Sequence, residues 1–150
     1  CQDVKKRATT DYINKKIKQY MEDFDLHYIF RFDDNFETFI SDGSNECSFT
    51  SFSSGQKTKT NLSILFAFYY FIRIKSLFNM DLQFFDEVLD RSLDPESTEL
   101  LFDILKHDNL FYDKNIIVIT HKESIKRFDF DRRIKAKLKG GFTKYEEVKN

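Results

Sequence analysis

Residues Leu62 to Ile72 are apolar on every side of a helix, interrupted only by Ser63 and the hydroxyls of two tyrosines. A helix of that kind must be covered by neighbouring elements on most of its faces. The run is about half of the ~20 residues that a membrane span requires, so it reads as a buried core helix. Such a helix needs large partners, and the chain supplies 18 Phe and 7 Tyr but no Trp. Its 150 residues suffice for one domain with a real core. A 41% hydrophobic and 33% charged composition is that of a soluble globular chain, not a disordered one.

The formal net charge of −1 gives no bulk attraction to nucleic acid, so any basic surface must be local. Cys1 and Cys47 form no CxxC pair. That argues against a disulfide scaffold and a zinc site, and suits a reducing cytoplasm. No signal peptide is expected to precede the fold. The chain opens on Cys1 rather than Met, as expected of a piece of a longer protein.

Along the chain, Gln2 to Asp23 has helical spacing through Val4, Ala8, Ile13, Ile17, Tyr20 and Met21. This is either a surface helix or the last turns of a coiled coil. Residues 1–23 are therefore set apart from a lobe at 24–150. His27 to Phe32 and Phe36 to Ile40 alternate around Asp33-Asp34-Asn35, which predicts a β-hairpin. Cys47 and Phe49 suggest a third short strand. A long helix is expected from about Gln56 to Phe78, a strand over Leu82–Phe85, and a helix opened by Asp94-Pro95. Asn115 to Thr120 is a β-branched run of the kind found in a fully buried parallel strand. Gly140-Gly141 joins a basic alternating strand to a last one ending near Val148. The middle of the chain is an α/β unit.

Four features carry chemistry. Phe52-Ser53-Ser54-Gly55-Gln56-Lys57 opens a helix, where free amides and the helix dipole face an anion; an ordinary Ser N-cap would look similar. Asp86-Glu87 ends an apolar strand. One carboxylate there suits the water shell of Mg²⁺, and the next suits activation of an attacking water. They can equally be two acids in a loop. Asp94 stands where an N-cap belongs, one residue before Pro95, in the segment Leu89 to Pro95. His121 follows a buried strand, at the carboxyl end where α/β sheets bind ligands.

The order and spacing of these features resemble the ABC-type ATPase heads of the SMC and SbcC kind over roughly Asp11 to Val148. Ser53-Ser54-Gly55-Gln56 is similar to the signature motif, with Ser54 in place of its first Gly and Phe52 in place of its Leu. Phe84-Phe85-Asp86-Glu87 is similar to Walker B with its catalytic Glu, Ser92-Leu93-Asp94 to the D-loop, and Thr120-His121 to the switch His. The fold implied is α/β: the C-terminal lobe of a P-loop ATPase head, with a coiled-coil stub at its N-terminus.

The resemblance implies an ATPase that uses ATP and Mg²⁺. Asp86 would support Mg²⁺, Glu87 would activate water and His121 would sense the γ-phosphate. Ser53 and Gly55 would reach ATP held by a second head, with Lys57 adding charge nearby. Implied partners are an N-terminal Walker A lobe, a second copy of the head, a nuclease subunit and DNA, in the cytoplasm and away from any membrane. None of the four glycines begins a G-x-x-x-x-G-K-[ST] loop, so the chain by itself is expected to be inactive. Three alternatives stand beside this reading: a chromosome-structuring head, a hydrolase whose metal is held by Asp86, Glu87 and His121, and a binding module using the basic tail.

Overall fold

The computed structural model describes residues 2–75, 80–90 and 92–148; Phe78, the expected end of the long helix, and Arg91 lie outside them. The first helix, α1 (Gln2–Asp23), divides by burial. Thr10, Ile13, Ile17, Tyr20 and Met21 recur every three to four residues and are buried, whereas residues 4–8 are exposed. The helix closes in a Schellman motif. Asp25 takes a positive φ of 54°, the Leu26 amide donates to Met21 O at 2.9 Å, and Leu26 is buried as the motif's apolar contact.

The predicted hairpin forms between β1 (Ile29–Phe32) and β2 (Thr38–Ser41), antiparallel, with Phe30 opposite Ile40. The Asp33 carboxylate organises its turn by accepting the amides of Asn35 at 2.7 Å and Glu37 at 2.9 Å. Asn14 of α1 ties the hairpin to the helix. Its side-chain amide donates to Phe32 O and accepts from Phe32 N, both at 2.8 Å, so one side chain takes the place of a neighbouring strand. The expected third strand does not form. A single bridge joins Ser41 to Glu46, and Phe49–Ser51 is a 3₁₀ turn instead. Local polar chemistry prevails over β propensity there, since the Ser48 hydroxyl caps the turn by accepting from Thr50 N.

The long helix, α2 (Ser54–Lys75), starts two residues earlier than Gln56 and packs against α1. It is not covered all round, because Leu65 is 57% exposed and Ile72 and Ile74 are also open. Next come β3 (Leu82–Asp86), α3 (Pro95–His107) and β4 (Asn115–Ile119). Strands β3 and β4 pair in parallel, Phe84 beside Ile117 and Asp86 beside Ile119. The expectation that β4 is fully buried fails. Phe85, Ile116 and Val118 turn toward the core, but Phe84 is 60% exposed, Ile119 is 46% exposed, and Leu82 and Ile117 share that open face. The run is buried on one side because this two-stranded sheet is covered on one side.

Asp94 caps α3 as expected, accepting the Ser97 amide at 2.7 Å, with Pro95 in the first turn. That bond is the main reason its carboxyl sits below the usual range. The chain ends in β5 (Arg133–Lys139) and β6 (Phe142–Val148), an antiparallel hairpin turned by Gly140 and Gly141, both at positive φ. Among the described residues, no helix is long and apolar enough to cross a membrane.

Candidate functional site

The loop before α2 is locked by its own sequence. The Ser53 hydroxyl oxygen accepts the Gln56 amide at 3.2 Å, and the Gln56 side-chain carbonyl accepts the Ser53 amide at 3.0 Å. This is a reciprocal capping box. The cap that competed with the anion-site reading is therefore present, and the two are compatible. Ser53 O–H still has its hydrogen to donate, and the amides of Ser54 and Gly55, in the helix's first turn, have no intrahelical acceptor. Lys57 folds back, its ammonium donating to Thr50 O at 3.1 Å.

The structure also separates the roles of positions 54 and 55. Ser54 has no positive φ, so a serine there carries no backbone strain. Gly55 is constrained by space: a Cβ on it would lie 3.0 Å from the carbonyl oxygen of Ser92. The start of α2 thus rests directly on the Ser92–Asp94 segment. Gly55→Ala is expected to displace that segment at a cost of about 1–3 kcal/mol in urea unfolding. Ser54→Gly should cost only about 0.5 kcal/mol. Equal costs for the two would refute this assignment.

Asp86 and Glu87 project from the carboxyl end of β3, and His121 follows the carboxyl end of β4, its neighbour. The Glu87 amide donates to Ile119 O at 2.9 Å, which continues the sheet's register by one residue. Glu87 sits at φ 51°, a left-handed conformation that costs a side-chain-bearing residue roughly 1 kcal/mol. Strain of this kind gathers at functional sites. His121 Nε2 stands 3.9 Å from Glu87 Oε1. Among the described residues, no three His, Cys, Asp or Glu side chains converge as a protein-held metal would need. The three-ligand hydrolase therefore finds no support in the geometry. A Mg²⁺ that keeps most of its waters and uses one carboxylate fits the exposed Asp86.

One residue that sequence reasoning left without a role lies at the centre of this region. The Asp90 carboxylate accepts the Thr120 hydroxyl and takes the His121 amide at 3.1 and 3.0 Å on its two oxygens. Partial burial pushes its carboxyl up, but these bonds prevail and hold it below the usual range. No local signal could reveal a pairing across thirty residues.

These geometries define an α/β half-site: a capped helix start beside a loop, and acids and a His at adjacent strand ends. The fold is that of the C-terminal lobe of an SMC-type ATPase head. A chain from work on the ATP-driven dimerization and DNA-stimulated activation of SMC ATPases superposes with a TM-score of 0.72 at 19% identity. The match covers 95% of this chain and 86% of that one. An SMC head bound to the C-terminal winged-helix domain of ScpA gives 0.71 at 19% identity, over 93% of this chain and 43% of that one.

In sequence, the chain is a relative of exonuclease subunit 2 of Enterobacteria phage T4, 30% identical over 131 residues, which is 87% of this chain and 23% of that protein. Exonuclease subunit 2 of Escherichia phage RB69 is 31% identical over 111 residues, 73% of this chain and 19% of that protein. The chain thus spans about a fifth of the length of these relatives. No protein-family model matches it.

Proposed function

We propose that the chain is the signature-bearing lobe of an ATP-hydrolysing head that dimerises on ATP and serves a nuclease acting on DNA. The observation that carries this reading is the placement of Asp86, Glu87 and His121 at the carboxyl ends of two paired parallel strands, where α/β sheets bind ligands. In this reading Asp86 holds the water shell of Mg²⁺, which neutralises phosphate charge when bound. Glu87 takes the proton of the attacking water. His121 faces the γ-phosphate beside it. Ser53 O–H and the amides of Ser54 and Gly55 donate to ATP held by a second head, while Gln56 keeps the loop shaped for that contact. Ser92 and Asp94 lie beside that surface, with Asp94 also holding α3.

Two surfaces fit the remaining partners. The open apolar face of β3 and β4 suits a complementary lobe that brings the P-loop. On the last hairpin, the register places Arg133, Lys135, Lys137, Lys139 and Lys144 on one face, with Glu146 its one acid. Lys137 stands directly opposite Lys144. The Glu146 carboxylate already pairs with Lys137, and the other basic side chains of this face are what a DNA backbone would meet. The exonuclease names of the sequence relatives favour the nuclease-linked head over the chromosome-structuring one.

The test is reconstitution. Mixed with the lobe that supplies the P-loop, the chain should form a head whose mass doubles in light scattering on addition of ATP and Mg²⁺, but not ADP. A reconstituted head that binds ATP and stays monomeric sinks the proposal.

A further inference from the structure

The bonds around Asp90 reach in two directions. Toward the nucleotide side, its carboxylate holds the Thr120 hydroxyl and the His121 amide, and so fixes where the His121 ring stands relative to Glu87, 3.9 Å away. The Asp90 amide donates to Glu87 O at 3.1 Å, closing the turn that carries the strained Glu87. Toward the other side, the chain runs from Asp90 into Ser92, whose carbonyl abuts Gly55 at the start of α2.

The segment after His121 holds the same loop from outside. Lys122 Nζ donates to Leu93 O, and Arg127 donates to Pro95 O at 3.3 Å and pairs with Glu99 at 2.6 Å. Strand end, turn and signature-helix start therefore form one connected piece. Among the described residues, the carboxylate that joins the turn after β3 to the end of β4 is that of Asp90.

We propose that Asp90 is a positioning residue that couples His121 to the Ser92–Asp94 loop and hence to the face of Gly55. In this role it acts through the Thr120 hydroxyl and the His121 amide that it holds. A shift of the His121 backbone on meeting a γ-phosphate pulls on the Asp90 carboxylate. The turn, the loop and the start of α2 then move together. This rests on the ATPase reading above, and it adds a route by which occupancy of a head's own nucleotide site sets the surface offered to a second head.

The experiment compares Asp90→Ala, Asp90→Asn and Glu87→Gln in the intact head. Asp90→Ala should lower kcat about 10- to 100-fold and weaken ATP-driven dimerisation, with KM for ATP within about threefold of wild type, because misplacement of a catalytic group by about an ångström has that effect. Asp90→Asn keeps an acceptor for the Thr120 hydroxyl but sets an amide N–H against the His121 amide, so it should recover part of the loss. A plain folding defect would instead lower the amount of active head and leave the kcat of the folded fraction unchanged. If Glu87→Gln abolishes turnover while both Asp90 variants keep kcat and dimerisation within twofold, the coupling is overturned and the ATPase reading stands. Should Asp90→Ala not fold, wild-type kcat and dimerisation in Asp90→Asn overturn it equally. If Glu87→Gln itself leaves turnover intact, the reading beneath the coupling has failed.

Discussion

Glu87→Gln in the intact head should lower ATP turnover by about 10²- to 10⁴-fold, the usual contribution of a positioned general base. The substitution is nearly isosteric. It keeps a side chain at the strained φ of 51°, and the amide bond to Ile119 O, which lies in the backbone, is untouched. What it removes is the ability to accept a proton from water. ATP binding should therefore persist, and so should ATP-driven dimerisation, which would now be trapped rather than transient. Steady-state phosphate release measured alongside light scattering separates the two effects. Turnover within threefold of wild type would show that the proton goes elsewhere, and His121, 3.9 Å away, would be the next residue to test.

Much of this arrangement is legible in the sequence because it is written in local chemistry. Alternation around Asp33-Asp34-Asn35 and around Gly140-Gly141 announces two hairpins, and both form. Asp94 before Pro95 announces a cap, and the Ser97 amide is on it. Errors arise where a residue's environment depends on distant chain. The β-branched run of β4 carries no mark of which side is covered, so three of its five residues lie open against expectation. Cys47 and Phe49 have strand-like side chains, but the Ser48 hydroxyl caps a 3₁₀ turn that takes in Phe49.

The candidate site shows the same division. Its residues stand in an order that resembles the family's motifs, yet Ser54 departs from the signature pattern, and its ordinary φ means that a serine there carries no backbone strain. The need for glycine at position 55 comes from Ser92, 37 residues away, and Asp90 answers to Thr120 and His121. Neither pairing has a spacing that sequence periodicity can express.

The largest stability effect is expected at Phe66, in the middle of the apolar run on α2. Its side chain is 1% exposed. Its ring meets Tyr20 edge-on at 5.5 Å between centroids, Phe111 edge-on at 5.0 Å, Phe85 edge-on at 6.2 Å and Phe24 in a stacked contact at 6.4 Å. One ring therefore joins α1, α2, β3 and the segment between α3 and β4. Phe66→Ala should cost about 3–5 kcal/mol, since the rings around the cavity are held by different elements and cannot all close on it. Against a typical domain stability of about 5–15 kcal/mol, that leaves a large unfolded fraction on mild warming. Leu65→Ala, one residue away but exposed, should change stability by no more than about 0.5 kcal/mol. Urea unfolding followed by circular dichroism measures both, and a Phe66→Ala cost below 1 kcal/mol would mean that the core is not centred there. The consequence reaches the strand ends. Phe85 packs on Phe66 and immediately precedes Asp86, so any Phe66→Ala head that still folds should also lose turnover, because the strand that presents Asp86 and Glu87 has lost its support.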